Sequence, residues 1–596
     1  MAEYETHDYD VVVVGAGGAG LRAAVEASAA GARTALVCKS LLGKAHTVMA
    51  EGGIAAALGN VYPEDNWRVH FRDTMRGGKL INNWRMAQIH AQEAPERVLE
   101  LEEWGALFDR TADGRILQRD FGGHRYARLA HVGDRTGLEM IRTLQQHAVH
   151  RGIDVFMECT VTRLLKDGDR IAGAFAYWRE SGKFVIFQAP AVVLATGGIG
   201  KAYKITSNSW EYTGDGHALA LWAGADLMDM EFVQFHPTGM VWPLSVRGIL
   251  VTEGVRGDGG VLLNNAGERF MFRYIPEMFA AETADTEDEA DRWYTDKKNC
   301  RRTPDLLPRD EVARAINTET KEGRGTPHGG VFLDIANRRD ADYIKRRLPS
   351  MYQQFLELAD VDITKEAMEV GPTCHYMMGG VRVDPETQAS TVPGLFAAGE
   401  VGAGLHGANR LGGNSLSDLL VFGRRAGLGA AEYAGALGPR PAVDQTAVAD
   451  CAAEALRPFE GGGENPYAIQ SDLQECMHNL VGIIRTEGEL KRALEELAVL
   501  RDRAGRAGVE GHRQYNPGWH LALDLRSMLA VSECIARAAL ERRESRGGHT
   551  REDYPQADPE QATFNVVVRQ RGDEVALTHE AKLPMPDDLR QLLEAT

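Results

Sequence analysis

The chain has 596 residues, more than one hydrophobic core usually serves, so two or three domains with room for a large cofactor are expected. With 67 Lys plus Arg against 85 Asp plus Glu, the formal net charge of −18 excludes nucleic acid or an anionic membrane surface as the main partner, and an anionic substrate would need a local basic pocket. Seven cysteines without a Cys-x-x-Cys spacing indicate neither a disulfide framework nor a metal or iron-sulphur site, and point to a reducing compartment. The first element, "MAEYETHDYD", is too polar and acidic for a signal or transit peptide. Nowhere do about 18 apolar residues run together, so the chain is expected to be soluble by itself and to meet a membrane only through a partner.

Next come "YDVVVV", a β-branched strand, the glycine turn "GAGGAG", the helix former "LRAAVEASAAGA" and a second strand, "RTALVC". Gly15, Gly17 and Gly20 fit G-x-G-x-x-G directly after a strand and opening a helix, where backbone can approach a pyrophosphate that faces the helix N-terminus. The acid that usually binds a ribose hydroxyl after the second strand is replaced by Lys39, which weakens an NAD reading and leaves FAD or an unusual nucleotide pose. In "GKAHTVMAEGGIAAALGN" (43–60) His46 sits among small residues. A histidine there is ordinarily a hydrogen-bonding residue, but Gly52 and Gly53 again let backbone lie against a flat or phosphorylated ligand.

Two buried strands ending in glycine, "APAVVLATGGIG" (189–200) and "VPGLFAAGEVGAG" (392–404), stand nearly 200 residues apart, so one sheet is expected to be split by an insertion at about 241–360. The acidic run 281–293 within it reads as a solvated loop. Around the insertion lie "MEFVQFHPTGM" and "ILVTEGVRGDGG" with His236, Thr252, Glu253 and Arg256, "LLPRDEVARAI" with Arg309 near a helix start, "CHYMMGGV" with His375 and "GANRLGGNSLSDLL" with Arg410. Basic groups beside glycine turns in an acidic chain suit a small dianion, since bidentate Arg contacts to carboxylates are strong and directional. Scattered ion pairs are the plain alternative. After about 430 the texture is amphipathic helix, with Leu525, Met528, Leu529, Ile535, Ala539 and Leu540 at helical spacing, and the tail "ATFNVVVRQRGDEVALTHEAKL" reads as a hairpin.

In "VVVVGAGGAGLRAA", "AHTVMAEGG", "FGGH", "TGDG", "QFHPTG", "TEGVRGDGG", "CHYMMGG", "GLFAAGE", "NRLGGNSL" and "ESRGGHTREDYP", in that order and almost end to end, the chain resembles the flavoprotein subunit of succinate dehydrogenase and fumarate reductase. The resemblance implies an α/β fold: a Rossmann-like FAD-binding domain (1–240 and 361–430) interrupted by an α+β capping domain (241–360), a helical domain (431–545) and a small C-terminal region (546–596). It implies FAD attached covalently through His46, with cofactor contacts from Gly15, Ala16, Gly17, Gly18, Ala19, Gly20, Lys39, Ser40, Thr47, Gly52, Gly53, Asp215, Glu400, Ser415 and Leu416. Phe121, His236, Thr252, His375 and Arg410 would hold succinate or fumarate, and Arg309 would exchange the substrate proton with Glu253 and Arg256 as its relay. The implied partners are an iron-sulphur subunit with, indirectly, membrane-anchor subunits, at the cytoplasmic face of a bacterial membrane, with electrons passing to quinone. No nucleic acid and no metal on this chain is implied. The stretch "GKA" (43–45) departs from the arginine or serine that the family usually has just before the histidine, and 276–308 is longer than usual. Three alternatives are the reverse reaction, fumarate reduction by quinol; L-aspartate oxidase, which shares the clamp without covalent flavin; and an electron-transfer or assembly module without catalysis, which would be expected to lose Arg309, His375 or Arg410.

Overall fold

A computed structural model describes residues 4–460, 463–572 and 574–594, so the first three residues of the polar N-terminus and Asp573 in the turn of the expected hairpin lie outside the described residues. At its centre is a five-stranded parallel sheet in the order Leu395–Ala397, Ala191–Leu194, Val11–Val14, Thr34–Val37, Asp154–Phe156. All four valines of Val11–Val14 are buried, as befits a parallel strand covered on both faces. Val192 pairs with Leu395 and Val14 with Leu194, so two strands 200 residues apart in sequence are neighbours and one sheet is indeed split by an insertion. The helix Gly18–Ala29 packs on the long helix Asn414–Ala436 through small residues: a Cβ on Gly427 would meet the Ala23 carbonyl oxygen at 2.2 Å. The chain thus returns after the insertion to cover the first glycine turn.

The insertion builds its own antiparallel sheet, Val233–Met240, Met368–Met377, Val331–Asp334 and Val261–Leu263, over a separate core that includes Leu262, Ile316, Leu333 and Phe355. This sheet reaches past 241–360 at both ends, because the strands that carry His236 and His375 pair with each other. Only the first part of the acidic run, 281–286, is without helix as expected. Glu287–Trp293 is a helix whose N-cap, Thr286, accepts a hydrogen bond from the Glu289 amide, and whose first-turn acids Glu287, Asp288 and Glu289 oppose the positive end of the helix dipole. Its Ala290 and Trp293 are buried, Glu287, Asp288 and Arg292 are exposed, and Glu289 and Asp291 pair with Arg301 and Arg269.

The helices Gln445–Leu456, Pro466–Leu480, Glu487–Gly505 and Pro517–Glu541 follow. In the last, Leu525, Met528, Leu529, Ile535 and Ala539 are buried in the core shared with the central sheet, and Leu540 is half-buried. Helix Asn414–Ala436 runs unbroken across the expected boundary at 430. Phe564–Arg571 and Glu574–Ala581 pair antiparallel, as the tail pattern predicts. Among the described residues no helix is long and apolar enough to cross a membrane.

Candidate active site

The first glycine turn, the loop after the second strand and the insertion's sheet enclose one long cleft with about 1550 Å³ of empty space, partly open to solvent. Gly15 has φ +111°, and a Cβ there would lie 2.2 Å from the Ala195 carbonyl oxygen; a Cβ on Gly20 would lie 1.7 Å from the Gly15 carbonyl oxygen. The turn therefore closes only without side chains and leaves Gly15 to Ala19, with the amide end of the helix, along the cleft. Gly20 packs behind the turn and is not part of the lining. Lys39 points its Nζ at Thr213 (2.8 Å), Asp215 (3.0 Å) and Asp524 (2.7 Å). Burial alone would lower its pKa, but the two carboxylates more than offset this and keep it charged.

His46 opens the short helical turn His46–Met49 in the middle of the cleft. The Tyr212 ring stands edge-on to it at 4.8 Å, the Asn208 Nδ2 is 3.2 Å from its Nε2, and its Nδ1 is buried without a partner among the described residues. Burial first, then Lys201, push its pKa down to about 4, so at neutral pH it is an uncharged imidazole. Nearby, Glu51 is buried with Oε2 unpartnered, and burial raises its pKa well above the carboxylate range. Arg119 holds this segment by donating to the carbonyl oxygens of Glu51 and Gly52. A cradle that a Cβ would fill, a helix N-terminus at one end and unsatisfied polar atoms at the middle fit a flavin dinucleotide.

Beyond His46 the dicarboxylate candidates converge. The Phe121 ring lies where a Cβ on Gly52 or on Gly412 would collide with it, at 2.7 and 2.5 Å. Arg309 begins the helix Arg309–Lys321; its Nε donates to Glu253 Oε2 at 2.9 Å and its NH1 to Gln234 Oε1 at 3.4 Å. Arg410 donates to the same Gln234 oxygen at 3.0 Å and to Ser415 at 2.7 Å, and lies 4.3 Å above the Tyr376 ring. Burial, then Arg309, lower the Arg410 pKa to about 9. Glu253 also accepts from the Gly122 amide at 2.6 Å; burial would raise its pKa, but Arg309 and Arg256 outweigh it and hold it ionised. Arg256, 3.8 Å behind Glu253, does not line the cleft. It therefore does not touch a ligand in the cleft, and it also donates to the Asp305 carbonyl oxygen. His236 and His375 face each other at 5.1 Å, but burial and the neighbouring arginines push both pKa values well below the usual range. They are neutral hydrogen-bonding groups and not the cations that a sequence count suggests; the positive charge at this end of the cleft comes from Arg309 and Arg410.

Thr47, Ser40, Gly52, Gly53, Asp215, Thr252, Glu400, Ser415 and Leu416 also line the cleft, Glu400 with its pKa raised to about 7 by burial. Sequence reading missed Gln234, which joins the two arginines; it sits two residues before His236, and the strand's period of two puts both on one face. Tyr376, Asn208 and Tyr212 were missed too. Asp524 carried no local signal, being 485 residues from the Lys39 it binds.

Two family models match the chain. The FAD binding domain family matches residues 10–416, and the family described as fumarate reductase flavoprotein C-term matches residues 470–586. To the succinate dehydrogenase flavoprotein subunit of Coxiella burnetii the chain is 39% identical, over 94% of each chain. To the fumarate reductase flavoprotein subunit of Mycobacterium tuberculosis it is 38% identical, over 95% of this chain and 96% of that one. Among solved structures, Mycobacterium smegmatis Sdh1 in complex with UQ1 superposes with a TM-score of 0.86 and 62% identity, covering 98% of this chain and 96% of that one.

Proposed function

The chain belongs to the succinate dehydrogenase and fumarate reductase flavoprotein family and is an FAD-dependent oxidoreductase, and from that premise we propose that it oxidises succinate to fumarate, with FAD held covalently through His46. The carrying observation is the convergence of Arg309, Arg410, His236, His375 and Thr252 at one end of the cleft whose other end is the glycine turn. Bound FAD supplies the two-electron acceptor that oxidation of an unactivated C–C bond needs. In this reading Gly15 to Ala19 carry the pyrophosphate, and Lys39, Ser40, Thr47, Gly52, Gly53, Asp215, Glu400, Ser415 and Leu416 hold the rest of the cofactor, Lys39 and Asp215 acting as one ion-paired wall.

Arg410, with its Nε unpartnered and its other nitrogens fixed by Gln234 and Ser415, takes one substrate carboxylate together with His375. His236 and Thr252 take the other, and Phe121 closes over the carbon chain. Holding both carboxylates against fixed donors stabilises charge that develops on carbon as the C–H bond breaks. Arg309 accepts the proton from the adjacent carbon. A guanidinium, with its pKa ordinarily above about 12, is a base only once a proton has moved off it. The 2.9 Å contact from Arg309 Nε to ionised Glu253, backed by Arg256, is a route for that proton.

The direction we propose is succinate oxidation, with electrons passing through an iron-sulphur subunit to quinone, and with attachment to the cytoplasmic face of a bacterial membrane through partner subunits. The high identity to a solved Sdh1 supports that direction. The test is turnover: FAD-loaded chain with succinate should reduce a soluble redox dye, with malonate as competitive inhibitor. Dye reduction indifferent to succinate and malonate would overturn the proposal.

A further inference from the structure

A second cleft, with about 1400 Å³ of empty space partly open to solvent, lies along the helix Pro517–Glu541 and shares no lining residue with the first. It is walled by that helix, the ends of helices Asp215–Ala223, Gln445–Leu456 and Glu487–Gly505, and the tail hairpin. Four arginines line it, Arg163, Arg457, Arg501 and Arg526, against two acids, Glu454 and Glu533. In a chain of net charge −18 this is a local excess of positive charge.

The pairing is uneven. Arg501 is matched by Glu533 at 2.8 Å. Arg163 and Arg526 share the single carboxylate of Glu454. Both guanidinium groups are drawn over Trp222, Arg163 at 4.1 Å from the ring centre and Arg526 at 6.0 Å. Their burial lowers the pKa of each, that of Arg526 to about 9, so each gains from a further anion. The rest of the wall is mostly apolar: half-buried Ala504, Ala530 and Val575 supply accessible surface, and Leu221, Leu523 and Leu529 are nearly fully buried. A cavity that combines convergent cations with apolar wall selects a ligand built the same way.

We propose that this cleft is a second ligand site, for a small amphipathic organic anion whose acidic group sits with Arg163 and Arg526 beside Glu454 and whose apolar body lies along Ala504, Ala530 and Val575. A bare inorganic anion would leave the apolar wall unused, and a neutral apolar molecule would leave the shared carboxylate as the only counter-charge for two arginines.

The test uses the full-length flavoprotein with malonate filling the principal cleft and anilinonaphthalene sulfonate as the fluorescent probe. Saturable binding at one site is expected, weakened about tenfold or more by Arg526→Gln, since a charge-assisted hydrogen bond is lost. Glu454→Gln should tighten binding, because it removes the carboxylate that competes for both arginines. That second variant decides the matter if the first does not fold. Octanoate displacing the probe would identify an acyl carboxylate as the ligand type, and adenosine monophosphate displacing it a nucleotide phosphate, while inorganic phosphate should do neither. Absence of saturable binding, or an affinity that Glu454→Gln leaves unchanged or weakens, would overturn the proposal.

Discussion

Replacing Arg309 by Ala separates proton transfer from substrate binding, because the side chain is already tied on the protein side. Its Nε is committed to Glu253 at 2.9 Å and its NH1 reaches Gln234 at 3.4 Å, whereas Arg410 keeps its Nε free for a carboxylate. A positioned acid or base contributes about 10²–10⁴-fold, so turnover should fall by that factor, equivalent to about 3–5 kcal/mol of barrier. Malonate binding should weaken less than about tenfold, because Arg410, His236 and His375 remain. Were Arg309 a clamp residue instead, losing its charge-assisted hydrogen bond would cost about 1.5–3 kcal/mol of malonate affinity, or roughly 10–150-fold. The fold should survive: Glu253 keeps Arg256 at 3.8 Å and the Gly122 amide at 2.6 Å, so the loss stays below the roughly 3–5 kcal/mol of orphaning a buried charge. Dye-linked succinate oxidation at saturating substrate, with malonate titrated calorimetrically, reads both quantities. Near-normal turnover with collapsed malonate affinity would refute the reasoning.

Wild-type protein run on a denaturing gel should keep a fluorescent flavin band, and His46→Ala should lose it, with succinate oxidation falling more than fumarate reduction; a fluorescent His46→Ala band would contradict the covalent link. Acid stability follows from two fully buried histidines, His90 and His217, whose pKa values burial lowers to about 3 and about 4. Between the unfolded value near 6.5 and those values only the unfolded chain takes up the proton, so their contribution is complete above about 6.5 and is lost as pH falls. Each should remove about 1.4 kcal/mol per pH unit. Urea unfolding over falling pH should show a shallower dependence for His90→Gln than for wild type, and identical slopes would count against buried neutral His90.

Four of the five central strands were legible because they are short apolar runs, and because parallel strands covered on both faces read as unbroken apolar stretches; Asp154–Phe156, three residues opening on a charge, was not. The extent of the insertion was not, since Val233–Met240 contains Gln, His, Thr and Pro and looks like a motif where it is also a strand. The acidic helix was missed on charge, although Thr286 with Glu289 three residues later spells a capping box. Individual site residues could be read where they stand in compact motifs. What motifs do not carry is protonation: burial beside two arginines makes His236 and His375 neutral, and only the fold brings those arginines there. Nor could any local pattern tie Asp524 on a late helix to Lys39 in the loop after the second strand.

The most direct measurement mixes the flavin-loaded protein anaerobically with succinate, and separately with L-aspartate, while the yellow flavin absorption is followed. The account predicts that succinate bleaches the band, that malonate prevents this, and that aspartate leaves it unchanged. Bleaching by aspartate while succinate has no effect would contradict it.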